Sequence, residues 1–170
     1  GGMRQRVAIA IAMAGEPKLL IADEPTTALD VSIQAQILDL LRTQQKIRNM
    51  AIILITHNLG VVSSHTDEVA VMYAGKFVEK SPTYELINNP LMPYTEALMR
   101  STPSLSAPPH SRLEAIPGLP PDLFRIQNGC RFHERCSYVE DKCVAEEPEI
   151  RESGTGNHIY RCWHPLPASR

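Results

Sequence analysis

The residues best suited to chemistry are Asp23 and Glu24, inside the stretch KLLIADEPTTALD at residues 18–30. Leu19, Leu20, Ile21 and Ala22 form an unbroken apolar run that leads straight into the two acids. Such a run predicts a short strand buried on both faces, as in a parallel sheet. Open α/β sheets bind ligands at the C-terminal ends of their strands. Adjacent carboxylates there suit a metal-bound phosphate, with one acid holding the cation and the other orienting a water. Pro25 then blocks continuation of the strand. A bare Asp-Glu pair is otherwise two solvated acids, so the elements around it decide.

Residues 51–55 form a second apolar run, AIILI, which ends in Thr56 and His57. Between the runs, Asp30 is a good N-cap for a helix over residues 31–46, with Ile33, Ile37, Leu40 and Leu41 on one face. Strand, helix and strand predict a right-handed parallel crossover. Asp23, Glu24 and His57 then emerge at one sheet edge, where a histidine beside two acids is better placed for chemistry than a lone one. At the chain start, Gly1 and Gly2 precede MRQRVAIAIAMA, a run of helix formers with no breaker before Gly15. Gly15 is expected as the residue just past this helix, with Pro17 beyond it. Free backbone N–H groups at a Gly-Gly helix start suit an anion.

The 170 residues suffice for one ordinary domain with a small appendage. A hydrophobic fraction of 43% supports a packed core, and a net charge of -2 argues against a large nucleic-acid footprint. No apolar run approaches the roughly 20 residues of a membrane span, and no signal-peptide h-region follows GGMRQR. Gly1 is a poor initiator and Met3 lies within a motif, so the chain reads as a fragment lacking its N-terminal part. After His57 the pattern predicts a short helix over 58–64 and a hairpin of strands 68–73 and 76–79 around Ala74-Gly75. Ser81 and Pro82 are expected as N-cap and N1 of a helix ending near residue 88, with another from Pro93 to about residue 100. Residues 101–122 are rich in Pro and Ser and read as a linker.

The remaining chemistry lies in residues 123–170, which hold all four cysteines: Cys130, Cys136, Cys143 and Cys162. This segment has few apolar residues for a core of its own, and a bound metal or cluster would supply what burial does not. Zinc prefers closer pairs such as C-x₂₋₄-C, although His133, His158 or His164 could complete a set. Two disulfides and four free thiols are the other readings, and a reducing compartment disfavours the disulfides. The four sulfurs are expected to converge on one site, with turns at Gly129 and Pro148 and a loop freed by Gly154 and Gly156.

Four motifs stand in one order: GGMRQR at a helix start, LLIADEP at a strand end, TALD after it, and THN at the end of the next strand. Together they resemble the signature, Walker B, D-loop and switch-histidine motifs of ABC transporter ATPase domains, over residues 1–80. The resemblance implies an α/β fold: a partial P-loop NTPase core of parallel strands and flanking helices, followed by an irregular Cys-rich extension. It implies ATP and Mg²⁺ as cofactors, Asp23 as the Mg²⁺ residue acting through water, Glu24 as the general base and His57 as the γ-phosphate contact. Gly1 and Gly2 would bind the γ-phosphate of ATP held by an opposite subunit, and Asp30 would act across that dimer interface. Met3 stands where the family most often has Gln, and the Leu-Ser that usually precedes the glycines is absent. No G-x-x-x-x-G-K-[ST] occurs in these residues. The phosphate cradle is therefore expected upstream, and the 170 residues alone are expected to be inactive.

NNPLMPYTEALMRSTP, IPGLPPDL, GCRFHERC and the late Cys-Trp resemble the C-terminal extension of ATP-binding subunits of oligopeptide and dipeptide importers, a group shared with nickel and glutathione importers. Some relatives carry a [4Fe–4S] cluster, which implies Cys130, Cys136, Cys143 and Cys162 as its ligands. The segments are then 1–100 for the ATPase part, 101–122 for the linker and 123–170 for the extension. The implied partners are a second ATPase subunit, two membrane permease subunits and, indirectly, an external substrate-binding protein, with no nucleic acid. The implied place is the cytoplasmic face of the cell membrane, as a peripheral subunit. The competing readings are a soluble ABC-type ATPase of DNA repair or translation, which would lack this extension, and an inert Cys-rich binding module.

Overall fold

The computed structural model describes residues 1–102, 113–125, 128–154 and 156–167. The chain is mixed α/β and divides into two compact units, Gly1–Thr66 and Asp67–Arg170. The first holds a parallel pair of strands and the second an antiparallel sheet. The division falls at residue 66.

In the first unit, helix α1 (Gly2–Met13) precedes strand β1 (Leu19–Asp23), helix α2 (Val31–Arg48), strand β2 (Ala51–Ile55) and helix α3 (Leu59–His65). Asp30 caps α2 by accepting the Ile33 N–H at 2.9 Å. The helix runs two residues past its expected end and stops where Asn49 turns left-handed at φ 50°. Lys46 and Arg48 in its last turn suit the negative end of the helix dipole. Asn58 caps α3 through Gly60 and Val61.

Strands β1 and β2 pair in parallel from Leu19 opposite Ala51 to Asp23 opposite Ile55. Ile9 and Met13 of α1 and Ile37 and Leu41 of α2 pack with Leu20, and Ile52 joins them. Both helices thus cover the same sheet face. The expectation of strands buried on both faces is corrected, because Ile21 on the other face is 62% exposed and Ile53 48%. The end of α1 also differs. Ala14 closes the helix in right-handed geometry, and the left-handed turn falls on Glu16 at φ 49° rather than on Gly15.

The second unit opens with a hairpin of strands β3 (Glu68–Tyr73) and β4 (Lys76–Pro82). Its turn residues Ala74 and Gly75 both have positive φ, 46° and 79°, the geometry that matches strand twist. Helices α4 (Thr83–Asn88) and α5 (Pro93–Arg100) follow. Ser81 and Pro82 do not take the expected N-cap and N1 places, because the N-cap of α4 is Pro82 itself. Ser81 is fully buried within β4 opposite Val69, and Pro82 ends the strand, where its missing N–H is tolerated. Residues 113–122 carry no regular element, and positions 103–112 of the expected linker lie outside the described residues. Helix α6 (Asp141–Ala145) and strands β5 (Arg151–Glu152) and β6 (Ile159–Tyr160) complete the unit, with sheet order β3-β4-β6-β5.

The segment after residue 122 shares a core instead of building one. Phe132 and Cys162 pack into the cluster of Val71, Tyr73, Val78, Leu86 and Met92. The rings of Tyr73, Tyr94 and Phe132 meet with centroids 4.5–5.2 Å apart. Such tilted and edge-on contacts favour the ring quadrupoles.

Candidate functional site

The register of the parallel pair brings the site together. Asp23 is the last residue of β1 and lies opposite Ile55, the last of β2. Glu24 extends the ladder by one bond, donating its N–H to the Ile55 carbonyl at 2.9 Å. Residues just beyond Ile55 are therefore beside Glu24. Its backbone sits at φ 45°, a left-handed geometry that costs a non-glycine residue about 1–3 kcal/mol where the surroundings enforce it.

The Glu24 carboxylate is held by three donors. Oε1 accepts the His57 backbone N–H at 3.2 Å and lies 2.6 Å from His57 Nδ1. Oε2 accepts the Thr27 hydroxyl at 2.8 Å. Thr27 reaches it because residues 24–27 form a turn, closed by the Thr27 N–H on the Glu24 carbonyl at 3.1 Å. Pro25 at the second position fixes a φ suited to such a turn. The His57 hydrogen bond first, and then that of Thr27, hold the Glu24 carboxyl below its ordinary range. With Nδ1 on the carboxylate, Nε2 lies at the free end of a ring whose side chain is 83% exposed.

Asp23 is exposed and makes no side-chain hydrogen bond or ion pair among the described residues. An unpaired carboxylate at the strand end has the donor chemistry to take a hydrated cation. Asp30 is committed to its cap: Oδ1 accepts the Ser32 hydroxyl at 2.6 Å as well as Ile33 N–H. These two bonds, Ser32 first, lower its pKa.

Gly1 is the N-cap of α1, with no side-chain cap. A Cβ on Gly1 would lie 2.7 Å from Leu29 Cδ2, and one on Gly2 2.7 Å from Ile33 Cγ2. The glycines therefore permit close packing against the loop and helix that follow β1, besides leaving N–H groups bare. The fold thus joins Glu24 and His57, sets Asp23 next to them along the chain, and keeps Gly1, Gly2 and Asp30 outside their hydrogen-bond group. Sequence reading missed Thr27; its signal was a hydroxyl three residues after the acid across a proline.

The cysteines lie in the second unit, and all four are free thiols. Cys130 donates its N–H to the Cys143 carbonyl at 2.8 Å. Gly129 makes that approach possible: it sits at φ 99°, and a Cβ there would lie 2.4 Å from the Val144 oxygen. Burial pushes the Cys130 and Cys136 thiols up and takes Cys162 up to about 12. The charges of Cys130, Cys136 and Cys143 add to the effect on Cys162, so the four sulfurs are electrostatic neighbours.

A ligand set is another matter. Among the described residues no group of three or more His, Cys, Asp and Glu is arranged to hold a metal ion. The four cysteines expected as cluster ligands form no disulfide; Cys143 and Cys162 are buried, and Cys130 and Cys136 half-buried. The histidines that could have completed a zinc set are engaged elsewhere. His133 Nδ1 is 2.7 Å from the Cys130 carbonyl, His158 pairs with Glu79, and His164 faces Glu140 at 3.1 Å. Among the described residues no helix is long and apolar enough to cross a membrane.

Residues 1–27 match the ABC transporter family, and residues 78–143 match the family described as oligopeptide/dipeptide transporter, C-terminal region. A putative peptide import ATP-binding protein of Brucella melitensis is 50% identical over 167 residues, covering 98% of this chain and 49% of the relative. The dipeptide transport ATP-binding protein DppD of Escherichia coli is 48% identical over 166 residues, 98% of this chain and 50% of its own. The oligopeptide transport ATP-binding protein OppD of Mycobacterium tuberculosis is 49% identical over 162 residues, 95% of this chain and 26% of its own. The chain spans about half the length of the first two relatives and about a quarter of the third. It joins a segment that matches the ABC transporter family to one that matches the oligopeptide/dipeptide transporter C-terminal region, and along nearly its whole length it is similar to peptide import ATP-binding proteins.

Proposed function

We propose that the whole protein containing this chain is the ATP-binding and ATP-hydrolysing subunit of an ABC importer for peptides. The observation that carries this is the Glu24–His57 pair, 2.6 Å apart at the ends of two parallel strands and next to the unpaired Asp23. Bound Mg–ATP would supply the phosphoryl group and the charge that phosphoryl transfer must stabilise. Asp23 would hold Mg²⁺ through water. Glu24 would take the proton of the attacking water. His57 would donate an Nε2–H to the γ-phosphate, which requires protons on both ring nitrogens if Nδ1–H is to stay on Glu24. Gly1 and Gly2 would offer N–H groups to the γ-phosphate of ATP held by an opposite subunit, and Asp30 would act across that interface. A phosphate-binding loop from outside these 170 residues would have to complete the site.

The partners in this reading are a second ATPase subunit and two membrane permeases at the cytoplasmic face, with an external binding protein delivering substrate. Peptides are the proposed substrate class because the relatives are named for peptide, dipeptide and oligopeptide transport. The match of residues 78–143 speaks against the DNA-repair and translation alternative. The neighbouring four thiols support a finer proposal, a [4Fe–4S] cluster on Cys130, Cys136, Cys143 and Cys162 after local adjustment of the sulfurs. Iron and sulfide in protein purified without oxygen would support it, and stoichiometric zinc or no metal would reject it.

The experiment for the main proposal is peptide uptake into membrane vesicles that carry the full-length protein with its permeases. ATP-dependent uptake that disappears with Glu24→Gln is expected. Uptake indifferent to ATP or to that substitution would contradict it.

A further inference from the structure

We propose that Thr27 is a positioning residue for the Glu24 carboxylate, tethering Oε2 so that Oε1 stays aimed at its partners across the β1–β2 edge. The inference rests on the reading of Glu24 as the general base. A general base works only when its oxygen is held within hydrogen-bond reach of the proton it takes. Glu24 is a long side chain, and its carboxylate has few neighbours to pack against: its side chain is 36% exposed. Hydrogen bonds, not burial, must then fix its direction.

The two oxygens are held from different elements. Oε1 is held by the His57 backbone and ring, beyond the end of β2. Oε2 is held by the Thr27 hydroxyl, three residues along Glu24's own turn. That turn is closed by the Thr27 N–H on the Glu24 carbonyl and carries buried Pro25. The hydroxyl therefore moves with Glu24, whatever His57 does. If the His57 ring turns toward a phosphate, Oε1 loses its shortest bond and the Thr27 tether remains. Threonine suits the role because its branched Cβ restricts χ1 and pre-sets the hydroxyl. Valine copies that shape without the donor, and serine keeps the donor.

The test uses the full-length protein, comparing Thr27→Val, Thr27→Ser, Glu24→Gln and the Thr27→Val/Glu24→Gln double variant. The readouts are ATP turnover and equilibrium binding of a fluorescent ATP analogue. Thr27→Val is expected to lower kcat by about tenfold or more, as misplacement of a reacting group does, with little change in KM or in analogue binding. Thr27→Ser should recover most of the loss. In the Glu24→Gln background Thr27→Val should cost nothing further, because both changes remove one function. The proposal is overturned if Glu24→Gln is inactive while Thr27→Val turns over normally. It is also overturned if serine fails to rescue, or if valine costs as much in the Glu24→Gln background. Full activity of Glu24→Gln would instead bring down the base reading, and this inference with it.

Discussion

His158 Nε2 lies 2.7 Å from Glu79 Oε1, so two residues 79 positions apart form a buried pair that ties the segment before β6 to β4. The same oxygen accepts the Leu91 N–H at 2.6 Å, so three parts of the second unit meet at one carboxylate. Among the described residues Glu79 Oε2 has no partner, which leaves His158 and the Leu91 N–H to compensate the buried group. His158→Ala should destabilise the second unit by about 1–3 kcal/mol, the usual cost of leaving a buried polar group without its hydrogen-bond partner. Hydrogen exchange at Arg161, whose N–H donates to the Val78 carbonyl, should accelerate. Unchanged exchange and an unchanged unfolding midpoint would show that the pair is dispensable.

Gly129→Ala should be severe for a steric reason. The backbone there is left-handed at φ 99°, and the new Cβ would press on carbonyl oxygens of Cys143 and Val144, at 2.6 and 2.4 Å. Strained φ alone costs about 1–3 kcal/mol, and the contact with backbone adds to it. The urea midpoint should fall, and the reactivity of Cys130 and Cys143 should rise as their backbone hydrogen bond opens. A variant with the parent's midpoint would contradict this geometry.

How much of this was legible beforehand depends on how local the cause was. Apolar runs, the Asp30 cap and the Ala74-Gly75 turn are written in neighbouring residues, and they predict β1, α2, β2 and the hairpin. The convergence of Asp23, Glu24 and His57 follows from strand order alone. What was not legible depends on distant partners. Ser81 looks like a cap until the burial of β4 is known. Nothing local pairs Glu79 with His158, which the sequence offers only as a possible zinc ligand, until the sheet order places them in contact. Thr27 reads as part of a loop until the turn brings its hydroxyl to Oε2.

Cys162 gives a pH dependence for the metal-free protein. Its thiol is pushed from an ordinary value near 9 up to about 12, first by burial, so the folded state holds the proton more tightly than the unfolded one. Stability from this group is complete below the unfolded value and is lost as pH rises toward the folded one. The denaturation midpoint should therefore fall as pH rises from about 9 toward about 12 in the parent, and fall less in Cys162→Ala. Alkylation of Cys162 by iodoacetamide near pH 8 should lag behind that of free cysteine, because the thiolate is the nucleophile. Equal rates would show that the thiol is not shielded.

His57→Ala in the full-length protein should lower ATP turnover by about 10²-fold or more if the ring serves both Glu24 and the γ-phosphate. Because Glu24 would keep Thr27 and the backbone N–H of residue 57, ATP binding should persist. Full turnover in this variant would make the 2.6 Å contact a structural one.

The most direct measurement is ATP turnover by the full-length protein with Glu24→Gln, made beside an equilibrium ATP-binding assay. Glutamine keeps the shape, and its one oxygen can still accept from His57 while its NH2 donates to the Thr27 hydroxyl, but it cannot take the proton of water. The account predicts a fall in turnover of about 10²–10⁴-fold with ATP binding retained. Turnover near that of the parent would contradict the assignment of Glu24 as the base and, with it, the reading of this strand edge as the hydrolytic site.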